Sequence, residues 1–336
     1  MDGVTDAAFR YITAKYGHPS VIFTEFIPVE GVCRGVMRLM DDFKYNEIER
    51  PIVAQVFGSN PESFYKVSFL VAALGFNGID INMGCPDKSV SLKQGAGAGL
   101  ILKPQLAKEI IRGCQSGIDD FAKGKMLADV GLPPVLLQYI QEGRGGEVPI
   151  GERVKIPVSV KTRLGFDSVI IKDWIKDLLE AQPAVITVHG RTLKQMYRGS
   201  ADWDAIAQSA EIAKGSETLI LGNGDINDYQ EALRKIEQYG VDGVLIGRTA
   251  FGNPRIFNEN ISLHPTEERL KVMVEQAKYF SQVLKNKPFI NMRKNFGWYC
   301  RGFTGAPQLR ESLMEAVRID EVELIVDKFF SELSNS

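Results

Sequence analysis

The feature that most constrains the fold is a regular alternation of short β-branched runs with amphipathic stretches. Seven runs rich in Val, Ile and Thr, each bounded by Gly, Pro or Asn, cover residues 21–26, 51–58, 78–84, 156–165, 184–192, 218–226 and 243–249. The stretches between them place apolar residues at helical spacing. Because alternating strands and helices form right-handed βαβ units, we predict an α/β fold with a parallel sheet.

The expected architecture is a (β/α)8 TIM barrel whose first strand is truncated or missing. A barrel of this kind needs eight strands, and residues 1–17 read as a loop and a helix with no strand in front of them. The doubly wound alternative would carry GxGxxG after its first strand, and this sequence lacks that motif. We therefore expect the chain as written to begin at an internal methionine.

Two segments depart from the barrel pattern. Residues 117–150 are longer than an ordinary strand–helix connection, and we interpret them as an insertion. After about residue 260 the strand runs stop, and helical patterns follow over 266–284, 291–303 and 306–317. We predict a barrel domain over 1–260 and a C-terminal all-helical domain over 261–336.

Composition excludes several classes of protein. The 336 residues contain no apolar run of eighteen and no secretory leader pattern, so we predict a cytoplasmic protein that does not cross a membrane. The four cysteines show no CxxC spacing, so we expect neither disulfides nor a metal site. We also expect the chain to act as a monomer.

Polar residues at the carboxyl ends of the predicted strands are the candidates for chemistry, because barrel active sites lie at that face. The candidates are Glu25, Gln55, Asn82, Cys85, Lys161, Arg163, His189, Arg191, Asn223, Asp225, Gly247 and Arg248. The turns "GNGD" and "GRTAFGNP" follow the last two strands, where barrels commonly bind phosphate. A lysine at the barrel mouth opposite such turns suits an anionic ring, whereas His189 is either a catalyst or a structural hydrogen-bonding group.

Cys85 stands in "NMGCPDK", between the end of a strand and a proline. A small buried hydrophobe, a nucleophile and a proton donor are the three interpretations. A nucleophile would normally need a histidine base and an orienting group, whereas a proton donor needs only proximity. The run "GAGAG" at 95–99 is interpreted as a flexible loop near the thiol, and "KQGAGAG" at 93–99 as a candidate lid.

Eight blocks of this sequence, in order, resemble the tRNA-dihydrouridine synthases. They are "MDGVTDAAFR", "AQVFGSNPESF", "GIDINMGCPDKSVSLKQGAGAGL", "VSVKTRLGFD", "TVHGRTLKQMYRGSADW", "LGNGDI", "GVLIGRTAFGNPRIF" and "MRKNFGWYCRGF". The resemblance runs from residue 1 to about 310 and leaves out 117–150. It implies an FMN-containing barrel with a helical domain, which reduces the C5–C6 double bond of uridine in tRNA at the expense of NADPH.

The resemblance also implies residue roles. Cys85 is the expected general acid, which gives a proton to C5 of the uracil after hydride passes from flavin N5 to C6. The expected FMN-binding residues are Met1, Asp2, Gln55, Lys161, His189, Asn223, Gly224, Asp225, Gly247 and Arg248. The expected tRNA-binding residues are Asn82, Arg163, Arg191, Lys285, Lys287, Arg293, Lys294 and Arg301. Because the first strand is expected to be absent, we also expect weaker FMN binding than in a chain extended upstream.

The helical region supports the RNA assignment through an uneven charge distribution. Residues 276–310 contain seven Lys and Arg residues and no Asp or Glu, although the whole chain has a net charge of −2. Aromatic residues are interleaved with these cations: Phe280, Phe289, Phe296, Trp298, Tyr299 and Phe303. Such a composition suits phosphate contacts and base stacking, and its alternative is a solvated helical face over an aromatic core.

Two other functions stay open at this point. A flavin barrel oxidoreductase of the dihydroorotate dehydrogenase type, acting on a free small molecule, would leave the basic helical region unexplained. A tRNA-binding chaperone that has lost its chemistry would not need Cys85, Lys161 and His189 together. Cys85→Ala separates the chaperone from the synthase, because tRNA binding should survive while uridine reduction collapses.

Overall fold

The structure is a computed structural model that describes residues 1–144, 150–259 and 265–334, with side chains described for all of these except 141–144 and 333–334. Its strands are β1 (Ile22–Phe23), β2 (Ile27–Pro28), β3 (Ile52–Phe57), β4 (Gly78–Asn82), β5 (Val158–Arg163), β6 (Val185–His189), β7 (Leu219–Asn223) and β8 (Gly243–Leu245). All of them belong to one parallel sheet, so the predicted α/β class is confirmed.

Helices follow the strands and then continue alone at the C-terminal end. They are α1 (Ala7–Gly17), α2 (Val29–Cys33), α3 (Pro61–Ala73), α4 (Pro104–Ala122), α5 (Pro134–Arg144), α6 (Ile171–Leu179), α7 (Trp203–Ala213), α8 (Tyr229–Tyr239), α9 (Thr266–Val283), α10 (Arg293–Tyr299), α11 (Ala306–Glu315) and α12 (Ile319–Ser334). Asp or Asn side chains accept backbone N–H groups at the N-termini of α1, α3, α7 and α8, and these caps fix the residue at which each helix begins.

The strand order is β1-β3-β4-β5-β6-β7-β8, with β2 paired to the distal end of β3. The first predicted run, 21–26, contains only β1, and β2 begins directly after it. The hydroxyl of Thr24 accepts the backbone N–H of Gln55 at 3.0 Å, and this side-chain bond interrupts the ladder. Among the described residues, no strand pairing closes the sheet between β8 and β1, where the missing first strand is predicted.

The register places the candidate residues level with one another. Asn82 of β4 pairs with Lys161 of β5, and His189 of β6 pairs with Asn223 of β7. β3 and β4 are buried along their whole length, as is common in parallel sheets, whereas β7 and β8 are partly exposed next to the open edge. The carboxyl ends of β3 to β8 thus form one rim above an apolar core.

The helical region shares its core with the start of the chain. Its buried cluster combines residues of α9 to α12 with Ala8 and Ile12 of α1. Tyr11 also stacks on Tyr279, with 4.0 Å between the ring centroids. Because α1 leads into β1, this packing sets how the helical region sits on the barrel. The domain boundary predicted between 260 and 261 falls outside the described residues.

The insertion begins later than the sequence indicates. Residues 117–122 continue α4. Gly117 allows α4 to lie close against α3, since a Cβ there would lie 2.3 Å from the carbonyl oxygen of Tyr65. The additional segment starts at Lys123 and contains α5, whose Leu136 and Ile140 are fully buried in the barrel core. Across the described ranges, no helix combines the length and apolarity needed to cross a membrane.

Candidate functional site

Cys85 lies on the loop that follows β4, and the backbone of this loop is held from two sides. The Asn82 side-chain oxygen accepts the N–H groups of Gly84 at 3.0 Å and Cys85 at 2.9 Å. Arg163 donates its Nε to the Gly84 carbonyl oxygen at 2.6 Å. Burial raises the pKa of the half-buried Cys85 thiol, so the thiol stays protonated at neutral pH. This state suits a proton donor rather than a nucleophile.

The run 95–99 is a buried support for Cys85, and the interpretation as a flexible loop or lid is wrong. Ala96 and Ala98 are fully buried, and the backbone N–H of Ala98 donates to the Cys85 carbonyl oxygen at 3.2 Å. A Cβ on Gly97 would lie 3.1 Å from the Cys85 Cβ. The small residues are therefore explained by close packing beneath the thiol, not by chain flexibility.

A hydrogen-bonded row inside the rim orients Asn82. The Asn82 Nδ2 donates to Gln55 at 3.1 Å, the Gln55 Nε2 donates to Asp80 at 2.8 Å, and the Ser159 hydroxyl donates to Asp80 at 2.6 Å. Asp80 is fully buried, and burial raises the pKa of its carboxyl group. Sequence reasoning missed Asp80 and Ser159, although an acid inside the apolar strand "GIDIN" was a signal. Both ends of the Asn82 amide are used inside the protein, so its observed role is to position the Cys85 loop.

Lys161 is the cation at the centre of the rim. No hydrogen bond or ion pair engages its ammonium among the described residues. Burial, together with the charge of Arg163, lowers the pKa of Lys161 to about 8, and the carboxyl of Asp80 opposes the shift. The ammonium is therefore charged at pH 7 and can bind an anionic group.

His189 is uncharged throughout the physiological pH range. Burial, followed by the charge of Lys161 and the neighbouring arginines, lowers the pKa of His189 to about 2. Its Nε2 lies 3.4 Å from the Arg191 guanidinium. Because a guanidinium only donates, we assign Nε2 as the acceptor and place the proton on Nδ1.

The turns after β7 and β8 have the character of a phosphate site. Gly224 has φ of +130°, and a Cβ there would lie 2.7 Å from the Cβ of Ala201, so only glycine fits. Among the turn and loop hydrogen bonds of the described residues, none uses the backbone N–H of Gly224 or Gly247. Arg248 stands beside them with its side chain 57% exposed. Backbone donors next to a cation fit the phosphate of an FMN.

Asn223 and Asp225 hold these turns in place. The Asn223 Nδ2 donates to the Leu245 carbonyl oxygen at 2.7 Å, which links the two turns. The Asp225 carboxylate accepts from Arg191 at 2.5 Å and from Arg248 at 3.2 Å. These contacts satisfy the carboxylate inside the protein, so Asp225 shapes the site through its neighbours.

Two residues expected to contact tRNA are internal braces instead. Arg163 and Arg191 are 4% and 3% exposed. Arg163 joins the Gly84 carbonyl to that of Thr192, and Arg191 donates to the Gly199 carbonyl oxygen at 2.6 Å. A buried guanidinium that is hydrogen-bonded to backbone carbonyls fixes loops, which corrects the expectation of a substrate contact.

The start of the chain lies at the open seam of the sheet. A Cβ on Gly247 would lie 3.9 Å from the Met1 sulfur, and a Cβ on Gly3 would lie 3.8 Å from the Lys294 Nζ. Asp2 lies beside them, and partial desolvation by the surrounding protein, together with the charge of Glu25, raises the pKa of Asp2. The seam is thus the place where the N-terminal segment, the β8 turn and the helical region meet.

The cations of the helical region differ in their availability. Lys285 and Arg301 are exposed, Arg293 and Lys294 are half-buried, and no ion pair engages any of the four among the described residues. The Nε of Arg293 is buried without a hydrogen-bond partner in the described part of the chain. Arg301 donates one N–H to the Phe251 carbonyl oxygen at 2.9 Å, so Lys285, Arg293 and Lys294 are the more available to an anionic partner.

Lys287 is not available, which corrects its expected contact with tRNA. Its ammonium donates to Asp42 at 2.8 Å and to Glu25 at 3.2 Å, and the Glu25 side chain is only 6% exposed. The two carboxylates raise the pKa of Lys287 against the opposing effect of its burial. Lys287 therefore ties the helical region to the barrel rim.

The aromatic residues of the window form a core. Phe280, Phe296 and Tyr299 are buried in the helical cluster, and Trp298 stacks on Phe251 with 4.3 Å between ring centroids. The interpretation of a solvated face over an aromatic core holds for these rings. Their expected role in base stacking is corrected because their faces are already covered.

We expect Lys287→Ala to lower the free energy of unfolding by roughly 1–3 kcal/mol, because it leaves the buried Glu25 carboxylate without its cation. Urea unfolding followed by tryptophan fluorescence measures the change. Lys287→Arg should recover most of the loss. The matched control is Lys278→Ala, which breaks an exposed pair with Glu323 and should cost less than about 1 kcal/mol. Equal losses for the two alanine variants would contradict the tie.

Comparison with known proteins places these features in a family. The model of a family described as Dihydrouridine synthase (Dus) matches residues 1–123 and 149–334. A probable tRNA-dihydrouridine synthase of Staphylococcus aureus (strain COL) is 34% identical over 340 residues, covering 99% of this chain and 92% of that protein. Probable tRNA-dihydrouridine synthase 2 of Bacillus subtilis (strain 168) is 34% identical over 336 residues, covering 98% and 92%.

One solved structure shows a distant likeness. DHODH from Eimeria tenella in complex with ferulenol aligns with a TM-score of 0.42 and 13% identity, covering 76% of this chain and 63% of that chain. A likeness of this size supports no argument about function.

The residues skipped by the family match, 124–148, fall within the segment that starts at Lys123.

Proposed function

The chain belongs to the dihydrouridine synthase family, and from that membership we propose that it is a tRNA-dihydrouridine synthase, which reduces the C5–C6 double bond of uridines in tRNA. The observation that carries the proposal is the family match across both the barrel and the helical region. The position of Cys85 supports it, because a protonated thiol stands at the rim of the sheet on a loop braced by Asn82 and Arg163.

FMN reduced by NADPH is the cofactor that we propose, and when bound it would supply the hydride. The N–H groups of Gly224 and Gly247, with the guanidinium of Arg248, would hold the phosphate. Lys161 would bind the electron-rich edge of the ring, because its charged ammonium has no other partner in the described part of the chain. Asp80 holds Gln55 in a fixed orientation, and the side-chain oxygen of Gln55 would use its remaining lone pair to accept a hydrogen bond from the flavin ring.

Cys85 would hold the proton that the reaction needs. Saturating the C5–C6 bond adds one hydride equivalent and one proton, and the thiol would give its proton to C5 and become a thiolate. The elevated pKa of Cys85 favours recovery of a proton from solvent, to which the half-buried thiol has access. No base has to activate this thiol, which agrees with the absence of His189 from its hydrogen bonds among the described residues.

The helical region would bind the tRNA backbone through its free cations. We expect Arg293→Glu/Lys294→Glu to weaken tRNA binding by about 10²-fold or more near physiological salt, because two phosphate contacts become repulsive. Titration of a labelled tRNA at several salt concentrations measures the affinity and its salt slope.

The control for this experiment is Arg318→Glu/Lys328→Glu, which makes the same change of net charge at two exposed side chains that already pair with acids. Lys294→Glu alone is a second variant for the same affinity measurement, and it leaves the Arg293 side chain with its buried Nε unchanged. An affinity and a salt slope equal to those of the unchanged protein would contradict the assignment.

The function itself is tested with the FMN-loaded protein, NADPH and unmodified tRNA, followed by mass spectrometry of the nucleosides. We expect one or more uridines to gain two hydrogens. If no uridine changes while free orotate is reduced, the small-molecule oxidoreductase is favoured instead. The absence of any gain in the tRNA would contradict the proposal.

A further inference from the structure

The loop after β6, residues 190–201, is rigidly held although it contains no helix or strand. Arg191 anchors it from below through the Gly199 carbonyl oxygen and the Asp225 carboxylate. Within the loop, the backbone N–H of Thr192 donates to the Gln195 side-chain oxygen at 2.7 Å. The N–H of Lys194 reaches across to the carbonyl oxygen of Phe166 at 3.0 Å. The side chains at the tip are therefore presented in a defined arrangement.

The tip of this loop exposes an aromatic ring among cations. Tyr197 is 63% exposed, and the guanidinium of Arg248 lies 5.6 Å from its ring centroid. Lys194 and Arg198 are exposed, and no ion pair engages either of them among the described residues. These four side chains, Lys194, Tyr197, Arg198 and Arg248, are called the rim platform below.

A shallow depression adjoins the rim platform. It has a volume of about 390 Å³ and is lined by Asp167, Thr192, Lys194, Gln195, Arg198 and Gly199. Asp167 is the one acidic group of this lining. A depression of this size next to an exposed ring and two cations is suited to one nucleotide, with its base on the ring and its phosphate at the cations.

The rim platform lies close to the loop that carries Cys85. A single side chain connects the two loops, because Arg163 donates to the Gly84 carbonyl oxygen at 2.6 Å and to the Thr192 carbonyl oxygen at 3.2 Å. A uridine that reaches Cys85 must leave the base stack of the tRNA, so its neighbours along the strand lose their stacking partner. An aromatic ring one loop away can replace that partner.

We propose that the rim platform binds the nucleotide next to the target uridine, with Tyr197 stacking on the base and with Lys194 and Arg198 binding the flanking phosphates. This inference rests on the proposed function, since it takes tRNA as the substrate. It places an RNA contact on the barrel itself, in addition to the cations of the helical region.

The test uses the FMN-loaded full chain and an unmodified tRNA transcript. Tyr197→Ala should raise the KM for tRNA by about tenfold or more, whereas Tyr197→Phe should stay near the unchanged protein because the ring is kept. Lys194→Glu/Arg198→Glu should raise the KM by a similar factor and reduce the salt slope of tRNA binding by about 2. In each variant the kcat and the flavin content should stay within about twofold of the unchanged protein.

The matched control is Lys176→Glu/Lys214→Glu, which reverses the charge of two exposed side chains away from the rim, one on α6 and one before β7. It should leave the KM unchanged. The proposal is overturned if the platform variants behave like this control, or if Tyr197→Phe is as defective as Tyr197→Ala.

Direct binding of the transcript separates this inference from the proposed function. An unchanged protein that forms no dihydrouridine contradicts the proposed function, whatever the variants do. Unchanged affinity in the platform variants of an active protein contradicts the rim platform alone. If Lys194→Glu/Arg198→Glu fails to fold, Tyr197→Phe against Tyr197→Ala still decides the question, because Tyr197 is 63% exposed and is not part of the core.

Discussion

Cys85→Ala is expected to slow dihydrouridine formation by about 10²–10⁴-fold, the usual contribution of a positioned proton donor. The backbone bonds that hold the loop involve the Gly84 and Cys85 N–H groups and the Gly84 carbonyl, and none of them uses the thiol. The loop should therefore keep its shape. Flavin content, measured by absorbance, and tRNA affinity, measured by titration, should change little while single-turnover formation of dihydrouridine collapses.

The control for this prediction is Cys33→Ala, because Cys33 is also half-buried but lies on α2 and donates to the Ser63 carbonyl oxygen. It should keep nearly full activity. A Cys85→Ala protein that reduces uridine at the unchanged rate would show that the proton comes from another group. A protein that binds tRNA but is inactive with or without Cys85 would point to the chaperone alternative.

Lys161→Met is expected to weaken FMN binding by about 10²-fold, because it removes a buried cation from an anionic ligand. The pH dependence gives a second reading. In the free protein the pKa of Lys161 is about 8, and an anionic partner stabilises the charged form. The affinity should therefore be constant below about pH 7 and fall by about tenfold between pH 7 and pH 9 as the ammonium loses its proton. The Lys161→Met protein should show no such fall.

Two features make this pH profile specific to Lys161. His189 does not titrate in that range because its pKa is about 2, and the pKa of the Cys85 thiol is raised above its ordinary value. Lys161→Arg should remove the fall while keeping a charge at the site, since a guanidinium stays protonated. Fluorescence titration of FMN at several pH values measures the profile. Equal affinity of the unchanged protein at pH 7 and pH 9 would contradict the role given to Lys161.

The strand pattern could be predicted because it depends on neighbours along the chain. A strand lies within each of the seven predicted runs, and the first is shortened to two residues, where the Thr24 hydroxyl takes a ladder position. The end of α4 was placed too early because no sequence signal shows that Gly117 lies against the carbonyl of Tyr65. That contact joins two helices about fifty residues apart in the chain.

The errors at the site share one physical cause. A cation in a sequence carries no mark of its partner, so Arg163, Arg191 and Lys287 had the same appearance as Arg293 and Lys294. Partners of the first three come from distant segments: the carbonyl of Gly84 and the carboxylates of Asp225, Glu25 and Asp42. In the same way, "GAGAG" has the composition of a flexible loop until the chain packs it against Cys85.

By itself the sequence determined the class of the sheet, the strand-end position of Cys85 and the glycine turns after β7 and β8, because each depends on a short stretch whose residue types allow few conformations. The tertiary structure alone decided which of the charged side chains are braces and which are free. Burial and pairing depend on atoms brought together from β3 to β8 and from the helical region, and burial raises the pKa of the Cys85 thiol further above its ordinary value. The rim platform is of this second kind, since the exposure of Tyr197 follows from the buried bonds of Arg191 beneath it.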